Sequence, residues 1–281
     1  MEYSKMHLDT SLYIEVAENY YAEITSWRGK FQNERHLELC LCINKRRKNL
    51  IFTGQSACTI NGIPRLEIFE MRPHCMTTKG RHADIICWRE GPADPNVRVV
   101  NGLLVVSPER AIVDIAKDDS PHSLLVSINH CLNKKLFTKE QLLTEIDRRN
   151  FKGKNKLKKV LRFASDKCDS PLETVAWIHI NNAGFILPEQ QVNLYDNKKF
   201  IGRVDMYWNI KGRKIILELD GMNKYTEAEV LRAEKIREDK LLGRGYELIR
   251  AMWEDAENGK LIKRLEKVGI PKRKYYRRDM L

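Results

Sequence analysis

The chain has 281 residues, 42% of them apolar, and carries 50 Lys and Arg against 38 Asp and Glu for a formal charge of +12. That length allows two domains with real cores and that composition excludes disorder as the default, while no apolar run approaches the roughly 20 residues a membrane span requires. The positive balance calls for an anionic partner, nucleic acid before membrane lipid.

In chain order, MEYSKMHLDTS lacks the basic start, apolar stretch and small-residue cleavage site of a secretory signal, so a cytoplasmic protein is expected. From Leu8 to about Gly29, apolar residues recur at helical spacing (Leu12, Val16, Tyr20, Ile24, Trp27) and predict one amphipathic helix. Residues 1–35 thus form an N-terminal helical segment. From Leu37 to Leu104 the pattern is mixed: NLIFTGQSACTINGI predicts a strand end or turn leading into a short helix, DIICW and RVVNGLLVV predict strands, and REGPADPN a polar loop. SPERAIVDIAK then opens a helix with Ser107 as cap, Pro108 at the first position, and Ala111, Ile112, Ile115 and Ala116 as an apolar stripe. Helical sequence continues to about Asn150.

Seven cysteines (Cys40, Cys42, Cys58, Cys75, Cys87, Cys131, Cys168) are scattered, several in apolar runs, with no CxxC pair. Buried free thiols are expected, not a structural zinc site. FKGKNKLKKVLRFASDKCDSP (Phe151 to Pro171) is the predicted junction, made positive by Lys152, Lys154, Lys156, Lys158, Lys159 and Arg162. Such a run is either a solvated helix face or a phosphate-contacting surface. The terminal PKRKYYRRDML adds Tyr275 and Tyr276 to the same charge, for stacking on bases or as a solubilising tail.

Beyond the junction come a predicted helix (Ser170 to about Ala183), a strand (Gln191 to Tyr195), then FIGRVDMYW (Phe200 to Trp208) and KIILELDG (Lys214 to Gly221) joined by the turn-prone NIKGR. A helix from Thr226 to Leu242 and a strand in YELIRAMWED follow. If the two middle stretches pair, period-two alternation puts Asp205 on one strand and Glu218 and Asp220 on the other within reach of one patch, with Ile215, Leu217 and Leu219 on the opposite face. Acids inside apolar strands are costly unless paired or metal-bound. One reading pairs Asp205 with Arg203, and Glu218 with a helix on the sheet. The other places a divalent cation there, since Mg²⁺ takes hard oxygen ligands and activates a water against a phosphodiester. Ser170-Pro171-Leu172-Glu173 is a capping box, with Glu173 reaching back to the cap amide.

Two resemblances rest on these motifs. TGQSACTINGI, the strand pair after it and GLLVVSPERAIVDIAK resemble the middle of AbiEi-like antitoxin proteins over residues 40 to 150, which implies a DNA-binding repressor or antitoxin. From Ser170 to Asp255, SPLE, GFILPEQQV, FIGRVDMYW, ILELDGMNKY, REDKLLGRGYELIR and W-x-D, in the order α-β-β-β-α-β, resemble the PD-(D/E)XK nuclease superfamily and its branch related to Vsr endonucleases. Together they imply an α/β (α+β) protein: an AbiEi-like α/β domain over residues 36–165, then a restriction-endonuclease-like fold, a central mixed sheet flanked by helices, over residues 166–281 with the basic tail.

The second resemblance implies a Mg²⁺-dependent (or Mn²⁺-dependent) deoxyribonuclease in phage defence or a toxin-antitoxin setting. Asp205 and Glu218 would bind the metal, and Glu173 would be the helix acid facing it. Asp220 stands where better-known members carry lysine, leaving the base or charge stabiliser open; Lys224 resembles the basic residue that follows D-G in the branch. Arg237 either contacts phosphate or tethers Glu218, with Glu234 and Glu238 as alternative helix-surface partners. Gln190 and Gln191 fall where the branch often has glutamine. Lys154, Lys156, Lys158, Lys159, Arg203, Arg237 and Lys240 are the candidate nucleic-acid contacts. The implied partners are DNA and a homodimer mate or another defence-system protein, with no membrane. The rival, for which the absent lysine argues, is a catalytically inactive DNA-binding regulator or antitoxin on a nuclease-like scaffold.

Overall fold

The computed structural model describes residues 11–17, 20–47, 49–67, 71–77, 86–90, 96–221 and 228–274. Lys224, Tyr275, Tyr276, the first residues of DIICW and the centre of REGPADPN lie outside them. The protein is mixed α/β and divides into two compact units, residues 1–163 and 164–281.

The first unit starts with an antiparallel pair, β1 (Tyr13–Ala17) and β2 (Tyr20–Glu23), followed by the short helix α1 (Ile24–Gly29). The single helix expected from Leu8 to Gly29 is therefore corrected to strand, strand and six helical residues. Tyr13, Ile14, Val16, Tyr20 and Tyr21 explain the difference: aromatic and β-branched side chains lose rotamer freedom against a helical turn and pack well across strands. Helix α2 (Gln32–Arg46) follows, then β3 (Ile51–Phe52), α3 (Gly54–Ile60), β4 (His74–Thr77), β5 (Cys87–Glu90), β6 (Arg98–Val100) and β7 (Leu103–Val105). These strands form a mixed sheet in the order β5-β4-β3-β7-β6.

The helical run to Asn150 is three helices, α4 (Pro108–Ile115), α5 (Pro121–Asn133) and α6 (Lys139–Asp147), with α7 (Lys154–Leu161) closing the unit. Their starts are written in the sequence. Ser107, Ser120 and Thr138 each accept a hydrogen bond from the backbone amide three residues on, and Pro108 and Pro121 occupy first helical positions. Cys40, Cys58, Cys75, Cys131 and Cys168 are buried free thiols, while Cys42 and Cys87 are half-buried. Burial pushes Cys40 and Cys58 up to about 12, so neither is a thiolate near neutrality.

The second unit runs α8 (Pro171–Asn182), β8 (Glu189–Asp196), β9 (Lys199–Ile210), β10 (Arg213–Asp220), α9 (Ala228–Leu242), β11 (Tyr246–Met252), α10 (Trp253–Glu257) and α11 (Lys260–Val268). Its sheet has the order β11-β10-β9-β8, an antiparallel meander to which β11 adds parallel to β10. The β9–β10 turn is Lys211-Gly212, both at positive φ (50° and 88°). That two-residue geometry matches the right-handed strand twist and fixes the register of the hairpin. The last strand is shorter than YELIRAMWED: Trp253, Glu254 and Asp255 open α10, and Asp255 accepts from the Met252 amide at 3.1 Å.

Alternation along β10 is as its residues predict. Ile215, Leu217 and Leu219 are buried on one face with Met206 and Trp208 of β9. Ile216 faces the other way and packs on Leu241 of α9, so α9 covers the face that carries Glu218 and Asp220. Two strand residues rise about 6.5 Å and four helical residues about 6 Å. Arg237, one turn before Leu241, therefore lands over Glu218, two residues after Ile216.

Candidate active site

The last regular β9–β10 pair is Leu217↔Met206, which sets Asp205 beside Glu218 on the covered face. Here the Asp205 side chain takes over from the ladder: Oδ2 accepts from the Leu219 amide at 2.8 Å. On its other side Oδ1 accepts from Gln191 Nε2 at 3.3 Å, and the same nitrogen donates to Glu173 Oε2 at 2.7 Å. Gln191 reaches both acids from a left-handed backbone (φ 53°) in the interior of β8. A non-glycine residue held in that region costs roughly 1 to 3 kcal/mol, and such strain persists where the surroundings demand it.

Glu173 lies in the first turn of α8 and is only 4% exposed. Ser170 Oγ accepts from the Glu173 amide at 3.2 Å and donates to Oε1 at 2.8 Å, and the Asp169 amide donates to Oε2 at 3.1 Å. The capping box thus closes on the Asp169 amide and the Ser170 hydroxyl instead of the Ser170 amide. One carboxylate serves both the helix start and the Gln191 bridge. Burial first, and then the charge of Asp205, push Glu173 above the usual carboxylate range.

Glu218 accepts from Arg237 Nη2 at 2.6 Å. Burial pushes its carboxyl up to about 7 despite the pull of Arg237, with Asp205 adding to the rise. Its folded value lies above the ordinary 4.5, so between those values the folded chain keeps a proton that the unfolded chain releases. The stability contributed by neutral Glu218 is therefore lost as pH climbs through that window. Glu218→Gln never ionises. Urea denaturation should show the variant's stability relative to wild type improving by on the order of 1 to 3 kcal/mol between about pH 4.5 and pH 8; identical pH profiles for the two proteins would refute this.

Arg237 also donates to Glu234 (2.8 Å) and to the Arg203 carbonyl (2.9 Å). So it makes two of the three contacts open to it in the sequence, the tether to Glu218 and a helix-surface pair, phosphate being the third. Its seat depends on Gly202, where an added Cβ would lie 2.5 Å from Arg237 Nε. Arg203 pairs with Asp169, not with Asp205. Asp220 has a partner of its own, Arg250 Nη1 at 3.6 Å, and Arg250 also meets Glu238 (3.0 Å) and Glu234 (3.4 Å). The three strand acids thus separate. Asp205 joins Glu173 through Gln191, Glu218 pairs with α9, and Asp220 pairs with β11. Among the described residues, no three His, Cys, Asp or Glu side chains stand ready to hold a metal ion.

The basic junction is less available than its composition suggests. Lys154 Nζ donates to the Arg149 carbonyl at 2.7 Å, Lys156 Nζ to the Asp119 carbonyl at 2.6 Å, and Lys158 pairs with Asp147. These three lysines tie α7 to neighbouring helix ends. Lys159 and, in the second unit, Lys240 and Arg203 are exposed. Gln190 bonds Cys168 and Ser165, so of the two glutamines only Gln191 belongs to the site. Arg250 was invisible in the motif. Its signal was position alone, opposite Glu218 in the parallel register. Gly202 had a signal, since glycine inside a strand marks a close approach.

Compared with protein-family models, with curated proteins and with solved structures, the chain has no match.

Proposed function

We propose that the protein is a metal-dependent DNA endonuclease whose second unit has a restriction-endonuclease-like fold of the PD-(D/E)XK type, in the branch related to Vsr endonucleases. One observation carries the reading: Asp205 and Glu218 sit side by side on the two inner strands of the mixed sheet, both partly desolvated, with Glu173 tied to Asp205 through Gln191. The α-β-β-β-α-β order and the antiparallel meander with a parallel fourth strand support it. So does the net charge of +12, which favours a polyanion.

The donor set suits Mg²⁺ or Mn²⁺. Carboxylate oxygens are the hard ligands these ions prefer, and Mg²⁺ needs only one or two of them because it keeps several waters. A guanidinium already sits on Glu218, so the position accepts a cation. Asp205 and Glu218 would hold the ion, with Glu173 and Gln191 keeping Asp205 oriented. When bound, it supplies an activated water and neutralises charge on the phosphoryl oxygens. The Leu219 amide fixes Asp205 from behind, and α9 excludes bulk water from Glu218. Asp220, engaged by Arg250, is a positioning acid and not the general base. Exposed Arg203, Lys159 and Lys240 are the phosphate contacts in this scheme, and Lys224 has the residue type for a further one.

Supercoiled plasmid incubated with Mg²⁺ or Mn²⁺ should be nicked or linearised, and EDTA should stop it. A second reading, a DNA-binding regulator on the same scaffold, is favoured by the Arg237–Glu218 pair, which satisfies the acid without metal. DNA binding that persists in EDTA with no cleavage under any divalent cation would select it. A front unit with AbiEi-like character, a cytoplasmic setting and a role in phage defence or a toxin-antitoxin pair are proposed with the nuclease reading.

A further inference from the structure

We propose that Arg237 is a built-in counter-ion that occupies the place of the divalent cation at Glu218 and must leave that oxygen before the cation binds. The inference rests on the metal-dependent reading above and adds to it a competition internal to the chain.

Burying a carboxylate is tolerated only with a compensating charge, and Glu218 and Arg237 side chains are 13% and 21% exposed. The compensating group is always protonated and has donors but no acceptor, so it can neutralise Glu218 yet can never ligate a metal. Both hydrogens of Nη2 are committed, one to Glu218 Oε1 and one to the Arg203 carbonyl, while Nη1 holds Glu234. The guanidinium thus keeps two anchors that do not involve Glu218. It can give up that acid without leaving the site. A cation ligated by the same carboxylate would stand within a few ångströms of the guanidinium, and partly buried surroundings screen that repulsion poorly. The two cannot share Glu218 at full strength.

Gly202 shows that the seat is built. With no side chain on β9 at that position, Arg237 Nε lies against the strand backbone, and any Cβ would meet it at 2.5 Å. A surface arginine in an incidental ion pair needs no such gap. Freed from Glu218, Nη2 has one hydrogen to offer, and a phosphate oxygen is the acceptor that charge and geometry favour. Cation binding would thereby turn Arg237 from the acid toward the substrate.

The test is Mn²⁺ affinity of the full-length protein without DNA, by calorimetry or by the paramagnetic resonance of free Mn²⁺, for wild type, Glu218→Gln, Arg237→Gln and Gly202→Ala, with circular dichroism confirming that each is folded. Glu218→Gln should lose at least about tenfold in affinity, and Arg237→Gln should gain about tenfold, the equivalent of about 1.4 kcal/mol. Gly202→Ala, which unseats the guanidinium without removing its charge, should gain less, and it carries the test if Arg237→Gln does not fold. If Glu218→Gln weakens Mn²⁺ binding but neither Arg237→Gln nor Gly202→Ala tightens it, the competition is refuted while the metal site stands. If Glu218→Gln leaves Mn²⁺ binding unchanged, the competition and the metal-dependent reading fail together.

Discussion

Asp205→Asn should lower divalent-cation-dependent DNA cleavage on the order of 10³-fold, the scale of losing one electrostatic stabiliser in a desolvated site, while shifting folding stability by no more than about 1 kcal/mol. Asparagine is the informative replacement because of what Asp205 does twice over. Its Oδ2 accepts from the Leu219 amide where the β9–β10 ladder ends, and an asparagine carbonyl can still accept there. The charge and the second acceptor are lost. Alanine would instead orphan the Leu219 amide beneath α9 and confuse a folding defect with a catalytic one. Cleavage and urea denaturation on the same preparation separate the two. Asp205→Asn that cuts plasmid at the wild-type rate would remove Asp205 from the chemistry.

The largest stability effect should come from the first unit. Asp119 is fully buried and grips Arg65, itself 5% exposed, through Nε at 2.9 Å and Nη2 at 2.5 Å, and it also accepts from Ser123 Oγ at 2.8 Å. Gln55 Oε1 takes a third guanidinium hydrogen. Asp119→Ala would strip that buried guanidinium of its two-point carboxylate partner, a loss of about 3 to 5 kcal/mol. Asp119→Asn, which keeps an acceptor, should cost less. Replacing both partners, Arg65→Met with Asp119→Leu, should recover much of the loss, because desolvation of the pair offsets its attraction. Chemical denaturation of the four proteins tests this; a double variant no better than Asp119→Ala would contradict it.

The second unit was legible in the sequence because its signals are short-range and redundant. KIILELD alternates cleanly, Lys211-Gly212 is a two-residue turn between two apolar stretches, and Ser170-Pro171 marks a helix start. The side-by-side placement of Asp205 and Glu218 followed from strand period and hairpin length alone. Its limits were three-dimensional. That Asp220 would turn to Arg250 depends on a parallel neighbour brought in across α9. That Gln191 would bridge two acids depends on a left-handed residue inside a strand, which no propensity announces.

In the first unit the failure was of another kind. Leu12, Val16 and Tyr20 recur at four-residue intervals, but four is twice the strand period and close to the 3.6 residues of a helical turn, so the same spacing suits one strand face and roughly one helix face. Residue type decided between them, in favour of the hairpin. In the basic junction, counting charges does not tell where they point. Lys154, Lys156 and Lys158 contribute to the net charge wherever their side chains end, and two of them end on backbone carbonyls.

The parallel docking of β11 has a kinetic side. Glu218 lies on β10, and β10 becomes an interior strand only when a segment from beyond α9 pairs with it. Pairings that close such long loops form late, because the entropy of closure precedes the gain from contact. A ribosome-bound chain ending before Tyr246 would carry Glu218 on an edge strand, without Arg250 beside it. The surroundings of Glu218 are thus completed only when β11 pairs with β10, late in the assembly of its own unit.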